Sequence, residues 1–291
     1  MVAVVGRPNV GKSSLVNALV GRKVSIVTRK PQTTRHRIQG VIHRGGGQVV
    51  LVDTPGLHLR QGRALNRYLN DTAAASLPGV DLVLFVVEAG KWNEEDEAVL
   101  KRLARTGAPV GLVINKVDKV GDKNKLLPEI ERQAARREYA FILPVSALKR
   151  DNLDKLGHEL LSRMPEGPPL YPPDQVEGQD LAFVLSEIVR EKLMERLRQE
   201  LPYALTVQID KLEREPGLTR VEAVIWVERE NQKGIVIGDK GANLKAVGTA
   251  ARKEMEARLG HKVFLKLWAR SAKNWTDDPR ALKRFGYVGM E

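Results

Sequence analysis

Four short runs in the first half of the chain hold the groups needed to grip a polyphosphate and read a purine. Gly6-Arg7-Pro8-Asn9-Val10-Gly11-Lys12-Ser13 fits the pattern glycine, four residues, Gly-Lys-Ser. Between a strand and a helix, such a loop turns its backbone N–H groups onto phosphate at the helix N-terminus. Gly6, Asn9, Val10, Gly11 and Ser14 would line it, Lys12 would reach the β- and γ-phosphates, and the Ser13 hydroxyl would hold Mg2+. In Asp53-Thr54-Pro55-Gly56, Asp53 can bind Mg2+ through water and the Gly56 N–H can sense a γ-phosphate. Asn115-Lys116-Val117-Asp118 selects the base. The Asp118 carboxylate accepts both the N1–H and N2–H2 donors of guanine, whereas adenine presents a mismatched edge. Asn115 would tie this segment to the phosphate loop, and the Lys116 stem would cover one purine face. Ser146-Ala147-Leu148 then supplies the Ala147 N–H to the guanine O6. The expected ligands are GTP and GDP with Mg2+.

Between the first two runs lies Lys30-Pro31-Gln32-Thr33-Thr34-Arg35-His36-Arg37. A hydroxyl here would complete the Mg2+ shell only while a γ-phosphate is present, which makes this a switch segment. Thr34 is favoured over Thr33 as that ligand. His36 is expected to face solvent or to belong to the switch rather than to act as a base. Hydrolysis would rest on Lys12, Thr34 and Gly56. Leu57 follows Gly56 and cannot orient water, so slow intrinsic turnover is expected. Asn9 is a candidate ligand for K+ standing where an arginine finger would, and equally an ordinary turn residue.

All four runs should sit at carboxyl ends of strands, where open α/β sheets bind ligands. Short β-branched runs at 2–5, 39–43, 48–52, 82–87, 110–115 and 141–145 alternate with helical patterns at 13–20, 64–76, 96–105, 127–137 and 153–164. The expected fold class is α/β: a six-stranded, mostly parallel, Ras-like P-loop domain over residues 1–165. Gly45-Gly46-Gly47 should close one antiparallel hairpin. Five prolines between 165 and 173 mark a semi-rigid spacer, so residues 166–178 are read as a linker. Residues 179–291 then read helix (181–200), strand (204–212), strand (221–227), Gly-rich turn, helix (242–259), strand (262–268) and an irregular tail.

In this second half Gly238-Asp239-Lys240-Gly241 places a Gly-x-x-Gly turn before a helix. Such a turn lets an RNA backbone approach closely, with Lys240 and the helix N-terminus facing phosphate. Ile235, Ile237, Leu244 and Val247 would wall a cleft for unstacked bases, with Lys245 beside it. The order of elements suits a smaller α+β domain of the type II KH kind. In the tail, Lys273 and Trp275 mix cation with aromatic in a way that suits base stacking. Trp268, on a strand, is expected to cap the domain core instead.

Net charge is +12, distributed as +11 over residues 1–165, −6 over 166–228 and +7 over 229–291. Two basic regions suggest a polyanionic partner touched by both ends of the molecule. The chain has no cysteine, which excludes disulfides and thiolate metal sites and suits a reducing cytosol. No apolar run is long enough to span a bilayer, and the start of the chain runs straight into a strand, leaving no room for a signal peptide.

Over nearly its whole length the chain resembles the Era family of bacterial GTPases. The resemblance rests on residues 6–13, on Gln32-Thr33-Thr34-Arg35-His36, on Asp53-Thr54-Pro55-Gly56-Leu57-His58 and on residues 115–118. It rests further on Ser186-Glu187-Ile188-Val189-Arg190-Glu191-Lys192-Leu193, Glu200-Leu201-Pro202-Tyr203 and residues 236–241. It implies a GTP-switched factor in assembly of the small (30S) ribosomal subunit; a cytoplasmic monomer is expected. Its KH domain would bind single-stranded RNA near the 3′ end of 16S rRNA, with GTP favouring the bound arrangement. Peripheral membrane association is a further family theme, although no amphipathic anchor or lipidation signal is evident. The alternative reading is a GTP-gated interaction protein whose second domain docks another protein.

Overall fold

The computed structural model describes residues 1–57, 62–122, 124, 126–198 and 201–287; His58 and Glu200 of the family segments lie outside them. The six expected strands form at β1 (Val2–Val5), β2 (Ile38–Arg44), β3 (Gly47–Asp53), β4 (Leu82–Glu88), β5 (Val110–Asn115) and β6 (Phe141–Pro144), in the order β2-β3-β1-β4-β5-β6. All neighbours are parallel except β2 and β3, joined through Gly45 and Gly46, both at positive φ. That backbone twist matches the flanking strands, which is why glycines stand there. Strand alternation divides the core. Val2 and Val4 pack with α1 (Lys12–Val20) and α5 (Leu153–Leu161) on one face. Ala3 and Val5 pack with α2 (Ala64–Ala74), α3 (Glu94–Leu103) and α4 (Leu126–Ala134) on the other. Both faces of the strands are covered, which explains their unbroken apolar runs.

The proline-rich segment is not a free spacer. The Val41 N–H donates to Val176 O at 3.0 Å and the Gly178 N–H to Gln39 O at 3.3 Å, while Gln48 Oε1 accepts from the Leu170 and Tyr171 N–H groups. Residues 170–178 thus cover the outer edge of β2, an edge that would otherwise offer unpaired ladder groups.

The second unit runs α6 (Leu181–Arg196), β7 (Leu205–Glu215), β8 (Leu218–Val227), α7 (Glu230–Ile237), α8 (Ala242–Leu259), β9 (Lys262–Ser271) and α9 (Pro279–Arg284). Its sheet is ordered β7-β8-β9, with β7 antiparallel and β9 parallel to β8. A parallel neighbour needs a crossover, which α7 and α8 supply. Three expectations require correction. The run before the Gly-x-x-Gly turn is the helix α7, disguised in the sequence by its short length and by Gly234. The tail is not irregular throughout, because Asp278 caps α9 with Pro279 in its first turn. Trp268 does not cap the core either. Its register neighbours Val263, Leu265, Leu267 and Ala269 turn inward, and Trp268 stands on the opposite face under Lys266.

Candidate functional site

The loop after β1 is held open by backbone that only glycine tolerates well. Gly11 lies at φ 98°, and a Cβ there would come within 2.4 Å of Asn115 Nδ2. Gly6 is walled by the Val86 carbonyl in the same way. Lys12, capped over by this loop, donates from Nζ to Gly6 O at 3.0 Å and Arg7 O at 2.9 Å. Burial lowers its pKa to about 8 despite the nearby Asp53 carboxylate. The ammonium is held by carbonyls alone, ready to exchange them for phosphate oxygens. A bound polyphosphate would raise the Lys12 pKa again, so binding above pH 8 must take up a proton. GTP affinity should therefore be flat below about pH 8 and fall by up to about tenfold per pH unit above it; titration calorimetry across pH 7–10 would show this break, and Lys12→Arg should remove it.

Ser13, Thr34 and Asp53 converge as expected. The Ser13 and Thr34 hydroxyls are 2.8 Å apart, and Thr34 Oγ1 lies 3.4 Å from Asp53 Oδ2. Asp53 is fully buried, its pKa raised by that burial, and its Oδ1 has no hydrogen-bond partner. One orphaned carboxylate oxygen among two hydroxyls offers hard oxygen donors of the kind Mg2+ takes, so the residues present fit that ion. The Thr33 hydroxyl instead turns back onto Thr28 and Lys30 O. Thr54 is spent on Val4 O, 2.8 Å away. Gly56 packs on Pro8, and Leu57 beyond it is buried. A cleft of about 510 Å3 runs over these groups, lined among others by Asn9, Ser14, Thr34, Gly56 and Lys116. Val10 is buried beneath it.

The base-reading runs meet beside this cleft. Asn115 Nδ2 donates to Val10 O at 2.9 Å, and its Oδ1 accepts from the Ala147 N–H at 3.1 Å, which locks three runs together. Ser146 Oγ donates to Asp118 Oδ1 at 2.5 Å and orients that exposed carboxylate. Leu148 points to solvent, 78% exposed. Lys116 Nζ reaches Asn9 O and, at 2.6 Å, Glu88 Oε2. Burial opposes ionisation of Glu88, yet Lys116 and Lys91 overcome it and hold its pKa at about 2. Glu88 escapes a motif reading, although an acid closing β4 at the ligand end of the sheet was the available signal.

More surprising is where the switch segment goes. Arg35 is completely buried and donates to the carbonyls of Pro202, Tyr203 and Leu205 and to the Tyr287 hydroxyl. Arg190 on α6 donates to Thr33 O and pairs with Glu187 at 2.6 Å. Lys30 Nζ caps the end of α6 through Met194 O and Leu197 O, and Glu191 Oε1 accepts from the Val27 N–H at 2.9 Å. His36 is not solvent-facing. It stacks on Tyr287 with centroids 4.7 Å apart and meets Phe183 edge-on, and burial drives its pKa down to about 4. The start of α2 is gripped too. The α2 N-terminus lacks a side-chain cap of its own and borrows one, with Ala64 N–H donating to Asp277 Oδ1 and Leu65 N–H to Thr276 O. Trp275 belongs here. It is fully buried, with its Nε1–H on Ala204 O, and packs with Leu65, Leu282 and Tyr287. A side chain so enclosed cannot stack on bases, and its place among the RNA-binding candidates is corrected.

In the second unit α7 ends at Gly238, whose φ of 76° no β-carbon would suit, and Lys240 and Gly241 also take positive φ before α8 begins. Ile235 is 54% exposed, and Asp239, Lys240 and Lys245 are exposed around it while Ile237 is half-buried. Lys273 is exposed in the tail. Val247 faces the core and Leu244 packs partly against it, so the apolar wall at the turn is Ile235 with Ile237.

Residues 1–116 match the family model described as 50S ribosome-binding GTPase, and residues 200–276 match the KH domain. The chain is 51% identical to GTPase Era of Stenotrophomonas maltophilia (strain R551-3), over 98% of this chain and 96% of that protein. It is 52% identical to GTPase Era of Xanthomonas axonopodis pv. citri over the same shares. Among solved structures, a tyrosine-to-alanine variant of Aquifex aeolicus Era bound to GDP.AlF4- superposes with a TM-score of 0.94 at 38% identity, covering 99% of this chain and 98% of that one. Era in complex with MgGDPNP and nucleotides 1506–1542 of 16S ribosomal RNA gives 0.95 at 39% identity, with the same coverage. A GTPase domain and a KH domain in one chain, matched nearly end to end by these relatives, place it in the Era family of GTPases.

Proposed function

We infer that this GTPase binds single-stranded 16S rRNA near its 3′ end and acts in assembly of the 30S subunit, with the nucleotide deciding whether its KH domain is free to bind. Residues 1–165 form the GTPase domain, 166–178 the edge-covering connection and 179–291 the KH domain with its tail. One observation carries the reading: the segment between Ser13 and Asp53 is the same segment that Tyr287 and Arg190, itself paired with Glu187, hold. Any change at Thr34 therefore moves groups packed on α6 and on the tail. The solved complex of a relative with MgGDPNP and 16S rRNA supports the choice of ligands.

Within the site, Lys12 neutralises the β- and γ-phosphates, and the backbone N–H groups of residues 9–14 cradle them. Ser13, Thr34 and Asp53 hold Mg2+, which when bound offsets phosphate charge. Asp118, with Ala147, reads guanine. Gly56 presents its N–H toward the γ-phosphate. With Leu57 apolar and buried, backbone groups or other solvent position the attacking water, and intrinsic turnover is slow. Asn9 is retained as a ligand for K+, to be tested by comparing turnover in KCl and NaCl. Such a factor works in the cytoplasm as a monomer; no helix among the described residues is long and apolar enough to cross a membrane, and membrane association would be peripheral.

On the RNA side, Ile235 and Ile237 face bases, while Gly238, Asp239, Lys240 and Gly241 admit the backbone, with Lys245 and Lys273 nearby. Gly241→Asp should abolish binding to a 16S 3′-end oligonucleotide while GTP turnover stays unchanged. It places a carboxylate on a φ of 80° in the path of phosphate. Unchanged RNA affinity in that variant would contradict the reading and favour a docked protein.

A further inference from the structure

The outward face of the KH sheet is built unlike an ordinary solvated surface. Phe264, Lys266, Trp268 and Arg270 alternate aromatic and cation along β9, each pointing away from the core-facing Val263, Leu265 and Leu267. Phe264 is 47% exposed. The Arg220 guanidinium lies 5.7 Å from its ring centroid, Lys266 Nζ lies 4.5 Å from that of Trp268, and Arg284 lies 5.2 Å from that of Trp226. Arg220 is paired with Glu215. Although Glu222 neighbours Lys266 in register, none of Lys266, Arg270 and Arg284 forms an ion pair with a carboxylate of the described residues. The acidic residues of this sheet gather on β7 instead, where Glu213 pairs with Lys211.

β9 is the edge strand of its sheet, so this face and the Gly-x-x-Gly turn lie on opposite sides of one strand edge around which a single strand of RNA can pass. The helix α7, which runs into that turn, packs against β9, and Ser271 at the end of β9 donates to Glu230 at the start of α7, 2.6 Å away. A Gly-x-x-Gly turn clamps about four nucleotides, whereas the RNA in the related complex spans nucleotides 1506–1542.

We propose that the outward face of β9, centred on Phe264, Lys266, Trp268 and Arg270, is a second binding surface for single-stranded RNA, taking up nucleotides that flank those held at the turn. Bases can displace the cations that lie over the Phe264 and Trp268 rings and stack there, and Lys266 and Arg270, with no carboxylate partner among the described residues, then meet the phosphates between them. Charge complementarity selects RNA over an apolar protein segment here. The proposal rests on the RNA-binding reading above and extends it to a separate surface.

The test compares a short RNA of about six nucleotides, sufficient for the turn, with the same RNA extended by about ten uridines. Fluorescence anisotropy would be measured on the full chain with a non-hydrolysable GTP analogue. The unmodified protein should bind the extended RNA at least about tenfold more tightly, from one or two stacked bases. Lys266→Gln with Arg270→Gln, and separately Phe264→Ser, should each remove most of that gain while leaving the short RNA and GTP turnover unaffected. The double variant should also flatten the salt dependence by about 1.4 in log–log slope. An extension that brings no gain, or a gain that survives in both variants, overturns the second surface. Failure of the unmodified protein to bind either RNA would instead overturn the RNA reading as a whole, and this proposal with it.

Discussion

Replacing Asp118 with alanine should weaken GTP binding by about two to three orders of magnitude while the affinity for ATP stays low and nearly unchanged. The carboxylate offers guanine two charge-assisted hydrogen bonds, each worth about 1.5–3 kcal/mol. Nothing else in the site makes an equivalent demand of the base. The Ala147 N–H reads only O6, and the Lys116 stem covers any purine. Ser146 holds Asp118 Oδ1 at 2.5 Å, so the geometry is set before the nucleotide arrives and little ordering is needed on binding. Asp118 is exposed at the rim, and its loss should leave folding intact. Calorimetric titration with GTP, GDP and ATP distinguishes the cases: a loss shared equally by all three nucleotides would point to a general collapse of the site rather than to a missing base contact.

Glu187→Gln is expected to cost about 3–5 kcal/mol of stability, because it leaves the buried Arg190 guanidinium without its compensating charge. Both side chains are nearly inaccessible and within 2.6 Å of one another, and Arg190 also holds Thr33 O. The same substitution should therefore loosen the switch segment and weaken binding of Mg2+-GTP more than that of GDP. Acid acts on this interface in the same direction. Burial opposes ionisation of Glu187, but Arg190 outweighs it and lowers the pKa, so its contribution is full above the unfolded value near 4.3 and is lost as pH falls below it. His36, held at about 4 against roughly 6.5 when unfolded, takes up its proton in the unfolded chain first. Between those values stability should fall by about 1.4 kcal/mol for each unit of acidification. Urea denaturation at pH 7 and pH 5 measures both effects. A Glu187→Gln variant within 1 kcal/mol of the parent would show that the pair is not a buried constraint.

The nucleotide site was largely legible in the sequence because each of its runs is local. A glycine-rich loop, an Asp closing a strand and an Asn-Lys-x-Asp turn each specify backbone and chemistry within eight residues, and β-branched runs between them fix a parallel sheet. Gly45 and Gly46 announced the hairpin for the same reason. What the sequence concealed was pairing across long separations. Arg35 stands in a polar run with nothing local to mark it as buried, yet it is buried because the carbonyls of Pro202, Tyr203 and Leu205 and the Tyr287 hydroxyl satisfy it. Trp275, beside lysine in a charged tail, reads as a stacking platform, yet it closes the seam over α2. The helix α7 was hidden by its short length and by Gly234, whose weak propensity is overridden by packing against β9. No periodicity encodes such contacts, since each partner's own neighbourhood is ordinary.

These long-range contacts join the phosphate-sensing segment to the RNA-binding unit, and the two must be coupled if the nucleotide is to govern RNA binding. The direct measurement is the affinity of a 16S 3′-end oligonucleotide for the full chain with GDP and then with a non-hydrolysable GTP analogue, in the presence of Mg2+, followed by the same pair for Arg35→Ala. The GTP-analogue form should bind more tightly, by about 5- to 150-fold for a coupling of 1–3 kcal/mol, and Arg35→Ala should bring the two affinities together. Equal affinities in the unmodified protein would contradict that coupling.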